Sequence, residues 1–257
     1  MKLGLKLWSI NTDCYYEEAR RLFCAGWFDY VELYVVPGTL ETLSRWAKLD
    51  IPFAIHAPHF AHGFNLAKTN KEEHNFKIYD EVKIFADELH VDHIIFHGGI
   101  DGGIRETARQ LKNLNEPRAL IENKPFKALP NKMGGEFCRG YNPEEIKYVK
   151  DETGCGFCLD FGHAVCAANS LKTNPYNYIE TFLPLAPEIF HLTDIEDITG
   201  EYDSHPHLGD GQLDIKRILN RLDDNSKITI ETVKNSMENL EDFVGDVKWL
   251  TSLKQRQ

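Results

Sequence analysis

The sequence predicts an α/β fold, a single (β/α)8 barrel that forms one domain over residues 1–257. Eight short runs rich in β-forming residues recur along the chain, and longer segments with apolar residues at helical spacing lie between them. Strands that alternate with helices form parallel βα units, and eight such units close into a barrel. A length of 257 residues is ordinary for one barrel of this type, and no Gly/Ser linker or charge block marks a domain boundary.

The eight candidate strands are, in order, KLGLKLWS, DYVELYVV, PFAIHAP, DHIIFHGG, RALIENK, GFCLDFGH, EIFHLTD and KITIETV. Helical spacing between them is clear over residues 15–26, 70–89 and 142–152. The two longest irregular stretches, residues 124–141 and 196–212, each follow a strand. We therefore expect both on the face where barrel enzymes carry their catalytic loops.

Composition limits the class of protein. Hydrophobic residues make up 42% of the chain and charged residues 27%, which is typical of a protein that buries a sizeable core. No apolar run approaches the roughly 20 residues that span a membrane, and the first residues lack a signal-peptide core, so we expect a cytoplasmic protein without a membrane partner. The net charge of −11 argues against broad attraction to nucleic acid, although metal-binding carboxylates contribute to that total.

Residue types that ligate metals stand at the carboxyl ends of six predicted strands. They are His56, His97, Glu122, Asp160, His191 and Glu231, with His163 just after the sixth strand and Asp203 and His205 in the loop after the seventh. A single histidine near a strand end is more often an ordinary hydrogen-bonded residue than a ligand. Here, however, so many ionisable groups at one mouth would be costly to bury without a cation. Imidazoles and carboxylates without a thiolate suit zinc, manganese or iron in an open site.

Seven segments, HAPHFAHGFNLA, IIFHGGI, LIENKP, CLDFGHAVCAA, FHLTD, YDSHPHLGDG and TIET, follow one another through nearly the whole chain. In this order they resemble the successive motifs of the xylose-isomerase-like TIM barrel superfamily, and most of all those of its endonuclease IV branch, the apurinic/apyrimidinic endonucleases. The resemblance implies a divalent-metal cofactor of roughly two or three ions, with zinc expected first and manganese as an alternative.

The resemblance also implies which residues share each ion. The implied ligands are Glu122, Asp160, His191 and Glu231 for the first ion, Glu122, His56 and His97 for the second, and His163, Asp203 and His205 for the third. Such a cluster suits phosphoester hydrolysis, because closely spaced metals activate water and stabilise both the attacking and the leaving oxygen. Glu122 or Glu231 is the candidate catalytic carboxylate that steers the attacking water.

Two departures weaken the expectation of abasic DNA as substrate. The tyrosine and aliphatic wedge typical of endonuclease IV are replaced by His59 and Phe60, which we retain as candidate substrate contacts, and an arginine between the paired aspartate and histidine is replaced by Ser204. The loss of that guanidinium removes a phosphate contact. We therefore expect a small sugar or phosphoester as the partner, with nucleic acid only weakly supported.

The alternative function is a sugar or sugar-phosphate isomerase or epimerase of the same superfamily. It would need one metal, held by Glu122, Asp160, His191 and Glu231, while Glu122 and Glu231 exchange a proton through an enediolate. His163 would then bind a substrate hydroxyl. Further candidate contacts to the sugar or its phosphate are Asn123, Lys124 and Lys234. Hydrolysis ranks first because the chain holds more ligands than one metal needs, and a non-catalytic barrel ranks last because no ligand is missing.

Overall fold

The computed structural model describes residues 1–255, and these residues form a closed barrel of eight parallel strands. The strands are β1 (Lys2–Trp8), β2 (Tyr30–Tyr34), β3 (Phe53–His56), β4 (Ile94–His97), β5 (Ala119–Glu122), β6 (Gly156–Asp160), β7 (Ile189–Leu192) and β8 (Lys227–Ile230). Each strand pairs with the next one in sequence, and β8 closes the barrel by pairing with β1. The predicted fold class is confirmed.

Helices follow the strands on the outside of the barrel. They are α1 (Thr12–Cys24), α2 (Leu43–Trp46), α3 (Glu72–Glu88), α4 (Ile104–Leu114), α5 (Pro143–Thr153), α6 (Phe161–Ser170), α7 (Pro175–Phe182), α8 (Ile215–Leu219) and α9 (Glu241–Gln255). The segments predicted to be helical correspond to α1, α3 and α5. Within residues 1–255, no helix combines the length and the apolar character needed to cross a membrane.

Local sequence signals set the ends of α5. Asn142 precedes the helix, and its side chain accepts a hydrogen bond from the backbone N–H of Glu145. Pro143 occupies the first helical position, where its missing N–H costs nothing. Gly154 ends the helix at a φ of 74°, a left-handed conformation that glycine adopts without strain. The long loop before α5 therefore ends at a defined residue.

Alternation along the strands separates two faces. Leu5, Leu7 and their counterparts on the other strands face outward and pack in the main core against the helices. The inward residues of six strands form a separate buried cluster: Tyr30, Ala54, Ile95, Leu120, Cys158 and Ile189. Residues two positions apart on a strand share a face, so the next inward layer towards the carboxyl ends is Glu32, His56, His97, Glu122, Asp160 and His191. The barrel itself thus stacks an ionisable layer directly on an apolar one.

Candidate metal centre

The buried carboxylate of Glu122 lies against the imidazoles of His56 and His97. Its Oε2 is 3.1 Å from Nε2 of His56 and 3.0 Å from Nε2 of His97. Nδ1 of His56 donates to the backbone carbonyl of Ala57 at 2.8 Å, so a neutral ring presents its Nε2 lone pair to the carboxylate. Burial lowers the pKa of His97 to about 3, which favours the neutral ring. Lone pairs that face a carboxylate in this way fit a divalent cation between them.

The buried ring of His191 has one nitrogen satisfied and one free. Nε2 donates to Oε2 of Glu32 at 2.9 Å. Nδ1 makes no hydrogen bond to any residue of the described chain, although it lies 3.2 Å from Glu231 Oε1, 3.7 Å from Glu122 Oε2 and 3.8 Å from Asp160 Oδ2. Burial acts to lower the pKa of His191, but the surrounding acidic groups outweigh it and raise this pKa well above its usual value. The three carboxylates around His191 Nδ1 would stabilise a positive charge, and these nitrogen and oxygen donors fit a metal ion.

The two carboxylate oxygens of Asp160 have different roles, one in capping a helix and one in the ligand cluster. Oδ1 caps α6 by accepting the backbone N–H of His163 at 2.7 Å, while Oδ2 turns to the cluster and lies 3.4 Å from Nδ1 of His163. Burial raises the pKa of Asp160 to about 6. Both Asn123 side-chain atoms bond the backbone of Asp160, at 2.7 Å to its N–H and 2.9 Å to its carbonyl, and so hold this strand end in place.

A third group joins β6 to the loop after β7. Asp203 Oδ2 lies 3.1 Å from Nε2 of His163 and 2.9 Å from Nε2 of His205. Nδ1 of His205 is buried and makes no hydrogen bond within the described residues. Burial acts to lower the pKa of both histidines, but the neighbouring carboxylates have the larger effect. Asp160 and Asp203 raise the pKa of His163 to about 10. Asp203 raises the pKa of His205 to about 9.

Glu122 connects these groups. Its Oε2 faces His56 and His97, whereas its Oε1 lies 2.9 Å from Nδ1 of His163. The structure thus brings together all nine residues predicted as ligands: His56, His97, Glu122, Asp160, His163, His191, Asp203, His205 and Glu231. Nδ1 of His163 also donates to the backbone carbonyl of Asn123 at 2.9 Å, so the nitrogen that this ring offers to a metal is Nε2, beside Asp203.

Lys6 and Glu32 also belong to the centre, and the sequence analysis did not identify them. Glu32 is fully buried and accepts hydrogen bonds from Lys6 Nζ at 2.5 Å, His191 Nε2 at 2.9 Å and Thr229 Oγ1 at 2.6 Å. Lys6 Nζ also donates to Glu231 Oε1 at 2.6 Å. Both oxygens of Glu32 are therefore occupied by protein donors, which suits a carboxylate that orients a histidine ligand better than one that binds metal itself.

The predicted substrate contacts are placed in different ways. His59, Phe60 and Lys124 line a pocket of about 260 Å³ that opens above the cluster, together with Lys6 and Glu231. Asn123 is fully buried; its side chain bonds the backbone of Asp160, and its backbone carbonyl accepts Nδ1–H of His163 at 2.9 Å. Lys234 lies outside the pocket lining and donates to the backbone carbonyl of Thr232 at 2.8 Å. Substrate contacts of Asn123 and Lys234 therefore stay predictions.

Comparison with known proteins agrees with this architecture. The sequence model of one family, described as xylose isomerase-like TIM barrel, matches residues 24–253. The chain belongs to this family. Among relatives of this xylose isomerase-like barrel, a protein named probable endonuclease 4 from Mycobacterium tuberculosis is 29% identical over 170 residues. That match covers 64% of this chain and 66% of the relative, so it spans slightly less than two thirds of the relative's length.

Two solved structures share the fold of this xylose isomerase-like barrel. A D-tagatose 3-epimerase-like protein superposes with a TM-score of 0.74 at 18% identity, over 99% of this chain and 97% of its own. Endonuclease IV from Thermus thermophilus superposes with a TM-score of 0.70, also at 18% identity, over 100% of both chains. At these identities the likeness establishes the fold alone.

Metal binding to this xylose isomerase-like barrel is expected to release protons. In the metal-free protein the pKa values of His163 and His205, about 10 and about 9, lie above neutrality, so both rings hold a proton at pH 7 that an ion must displace. Zinc affinity should therefore rise with pH up to about 10. Titration calorimetry in buffers of different ionisation enthalpy measures the release. His205→Ala should bind fewer ions and release fewer protons, and equal release from both proteins would contradict the assignment.

Proposed function

We propose that this protein hydrolyses a phosphoester at a site that holds more than one divalent ion. The observation that carries the proposal is the presence of two separate groups of ligand types, His56 and His97 against Oε2 of Glu122 and His163 and His205 against Oδ2 of Asp203. A reaction at a single metal would need only one of these groups. The imidazole and carboxylate donors suit zinc, with manganese as the alternative. The relative named probable endonuclease 4 supports the same class of reaction.

Divalent ions bound here would supply Lewis acidity to the phosphoryl oxygens and to the attacking water. In the net reaction a water oxygen forms a bond to phosphorus, the bond from phosphorus to the alcohol oxygen breaks, and a proton passes from water to the departing alcohol. Glu231 borders the pocket, and Lys6 holds its Oε1 at 2.6 Å, so its other oxygen is free to orient that water. Lys124 lines the pocket floor, where its Nζ lies 2.9 Å from Nε2 of His163 and 3.7 Å from Oε1 of Glu122, and it provides a cation for the phosphoryl group.

Metal content and hydrolysis together test the proposal. Elemental analysis of the purified protein is expected to find about two to three divalent ions per chain, as for multi-metal phosphoesterases. The loaded protein should hydrolyse 4-nitrophenyl phosphate or bis(4-nitrophenyl) phosphate, lose this activity on chelation, and regain it with zinc or manganese. A protein with one ion that cleaves neither ester would contradict the proposal. Because Ser204 and His59 replace two DNA-contacting residues, incision of abasic duplex DNA should be weak.

Sugar isomerisation is the second candidate, and the pocket itself favours it. The pocket of about 260 Å³ is the size of a small ligand, and both Glu122 and Glu231 line it. Two carboxylates beside one metal could exchange a proton on a bound sugar. Exchange of solvent deuterium into a panel of ketoses, with no ester hydrolysis, would select this function over the first.

A further inference from the structure

The pocket combines a charged floor with apolar walls. Trp8, on the carboxyl end of β1, and Val233, just after β8, line one side and keep 38% and 46% of their surface exposed. Leu129 and Met133, from the loop after β5, also line it. Because β5 lies four strands from β1 in the closed ring, the two apolar groups stand across the mouth from each other. Apolar surface left open on both sides of a cleft marks a place for an apolar ligand group.

Stacked rings continue the apolar wall from the metal centre to the mouth. The rings of His97 and His59 lie 5.4 Å apart at an interplanar angle of 11°, and those of His59 and Phe60 lie 4.4 Å apart at 16°. Nδ1 of His59 accepts the backbone N–H of Ala61 at 3.2 Å, so a neutral ring carries its proton on Nε2. The stack begins at a metal-ligand candidate and ends at Phe60, which also lines the pocket.

The wall formed by the loop after β5 is held in place by hydrogen bonds. Within the loop, the backbone N–H of Ala128 donates to Glu136 and that of Cys138 donates to Phe126, each at 2.9 Å. Asp101 in the loop after β4 accepts the N–H groups of Glu136 and Phe137 at 2.9 Å and 3.2 Å. These bonds hold the loop in one position before any ligand binds, so the width of the pocket limits the size of the ligand.

Two of the lysines that line the pocket are already paired with carboxylates and are not available to a long anionic ligand. Lys127 lines the pocket, but its Nζ bonds Glu201 Oε2 at 2.5 Å and thereby ties the loop after β5 to the loop after β7. Lys6 is committed to Glu32 and Glu231. A nucleic-acid backbone needs several cations along its path, whereas one phosphoryl group needs only the pocket floor.

We propose that the substrate is a small phosphoester whose alcohol carries an apolar ring, with the phosphoryl group on the charged floor and the ring between Phe60 and Trp8. This inference rests on the proposed function. It follows from the position of apolar side chains directly above the cluster, where the departing alcohol of a floor-bound phosphoryl group would lie. A ring placed there covers Phe60 and the exposed face of Trp8 and gains the free energy of their burial.

Binding of two phosphonates tests the proposal without hydrolysis. Benzylphosphonate and methylphosphonate share the phosphonate group and differ in the ring. With zinc-loaded protein, calorimetry is expected to show benzylphosphonate binding about ten-fold tighter or more, which corresponds to burial of its ring. Phe60→Ala and Trp8→Ala should each remove most of this preference and leave methylphosphonate affinity unchanged. Ile84→Ala, a change at a side chain on α3 that is 47% exposed, should leave the preference intact.

The outcomes separate the two proposals. Equal affinities for the two phosphonates in the unaltered protein would overturn the ring site while the phosphoryl site stood. Binding of neither phosphonate, together with no ester hydrolysis, would mean that the proposed function itself had failed. A preference that survives both Phe60→Ala and Trp8→Ala would place the ring elsewhere and overturn the assignment of these walls.

Discussion

Replacement of Glu122 by glutamine is expected to lower ester hydrolysis by about a thousand-fold or more, because the loss of bound metal removes several kcal/mol of charge stabilisation. Glutamine keeps the size of the side chain but has only one weakly basic oxygen. It cannot present a carboxylate oxygen to His56 and His97 on one side and to His163 on the other. Elemental analysis should find fewer ions per chain in this variant, and steady-state kinetics should measure the lost turnover.

The fold should survive this change, since Glu122 is not part of the apolar clusters that pack the barrel. Far-ultraviolet circular dichroism and the thermal unfolding midpoint of metal-free protein check this. Glu188→Gln is a suitable control, because Glu188 precedes β7 at the opposite end of the barrel and 48% of its side chain is exposed. Full metal content and ordinary turnover in Glu122→Gln would disprove metal binding by this residue.

The positions of the nine candidate ligands were predictable because one physical rule determines them. Parallel strands in a closed barrel bring their carboxyl ends to one face, so residues such as His56 and Glu231, far apart in sequence, must meet there. The ends of strands could be read from β-forming runs and their flanking turns. The resemblance in motifs implied the grouping of Glu122 with His56 and His97, and these three residues do lie together. It did not imply the contact of Glu122 with His163, which had been grouped with the third ion.

Lys6 and Glu32 were harder to predict, because each lies two residues before the last residue of its strand and not at the strand end. A signal was present in the alternation of β1, where Leu5 and Leu7 face the helices and Lys6 falls on the other side. In a barrel with helices outside, a charge on that other side must point into the interior. The width of the pocket could not be predicted, since it depends on hydrogen bonds such as those of Asp101 to a distant loop.

Glu32→Gln is expected to weaken metal binding by about 10-fold to 100-fold, although Glu32 is not proposed to touch the metal. The carboxylate accepts the Nε2–H of His191 and so keeps Nδ1, the nitrogen that would bind a metal, directed at Glu122, Asp160 and Glu231. The side-chain amide of glutamine would place an N–H group against Lys6, His191 or Thr229, which are all donors to Glu32, and so break this arrangement. The metal-free variant should also lose about 3 kcal/mol of stability, because a buried charge network loses one member. Competition with a chelating dye measures the affinity, and denaturant unfolding measures the stability.

A loss of stability alone would not show that Glu32 orients His191, so the comparison needs a second buried carboxylate. Glu116 is only 8% exposed, and it accepts hydrogen bonds from Arg118 at 2.7 Å and from Tyr79 at 2.7 Å. Its network shares no residue with the metal centre. Glu116→Gln should therefore lower stability as Glu32→Gln does, but leave zinc affinity unchanged. If the two variants instead bind zinc equally well, the tautomer of His191 does not depend on Glu32, and the buried pair with Lys6 serves the fold alone.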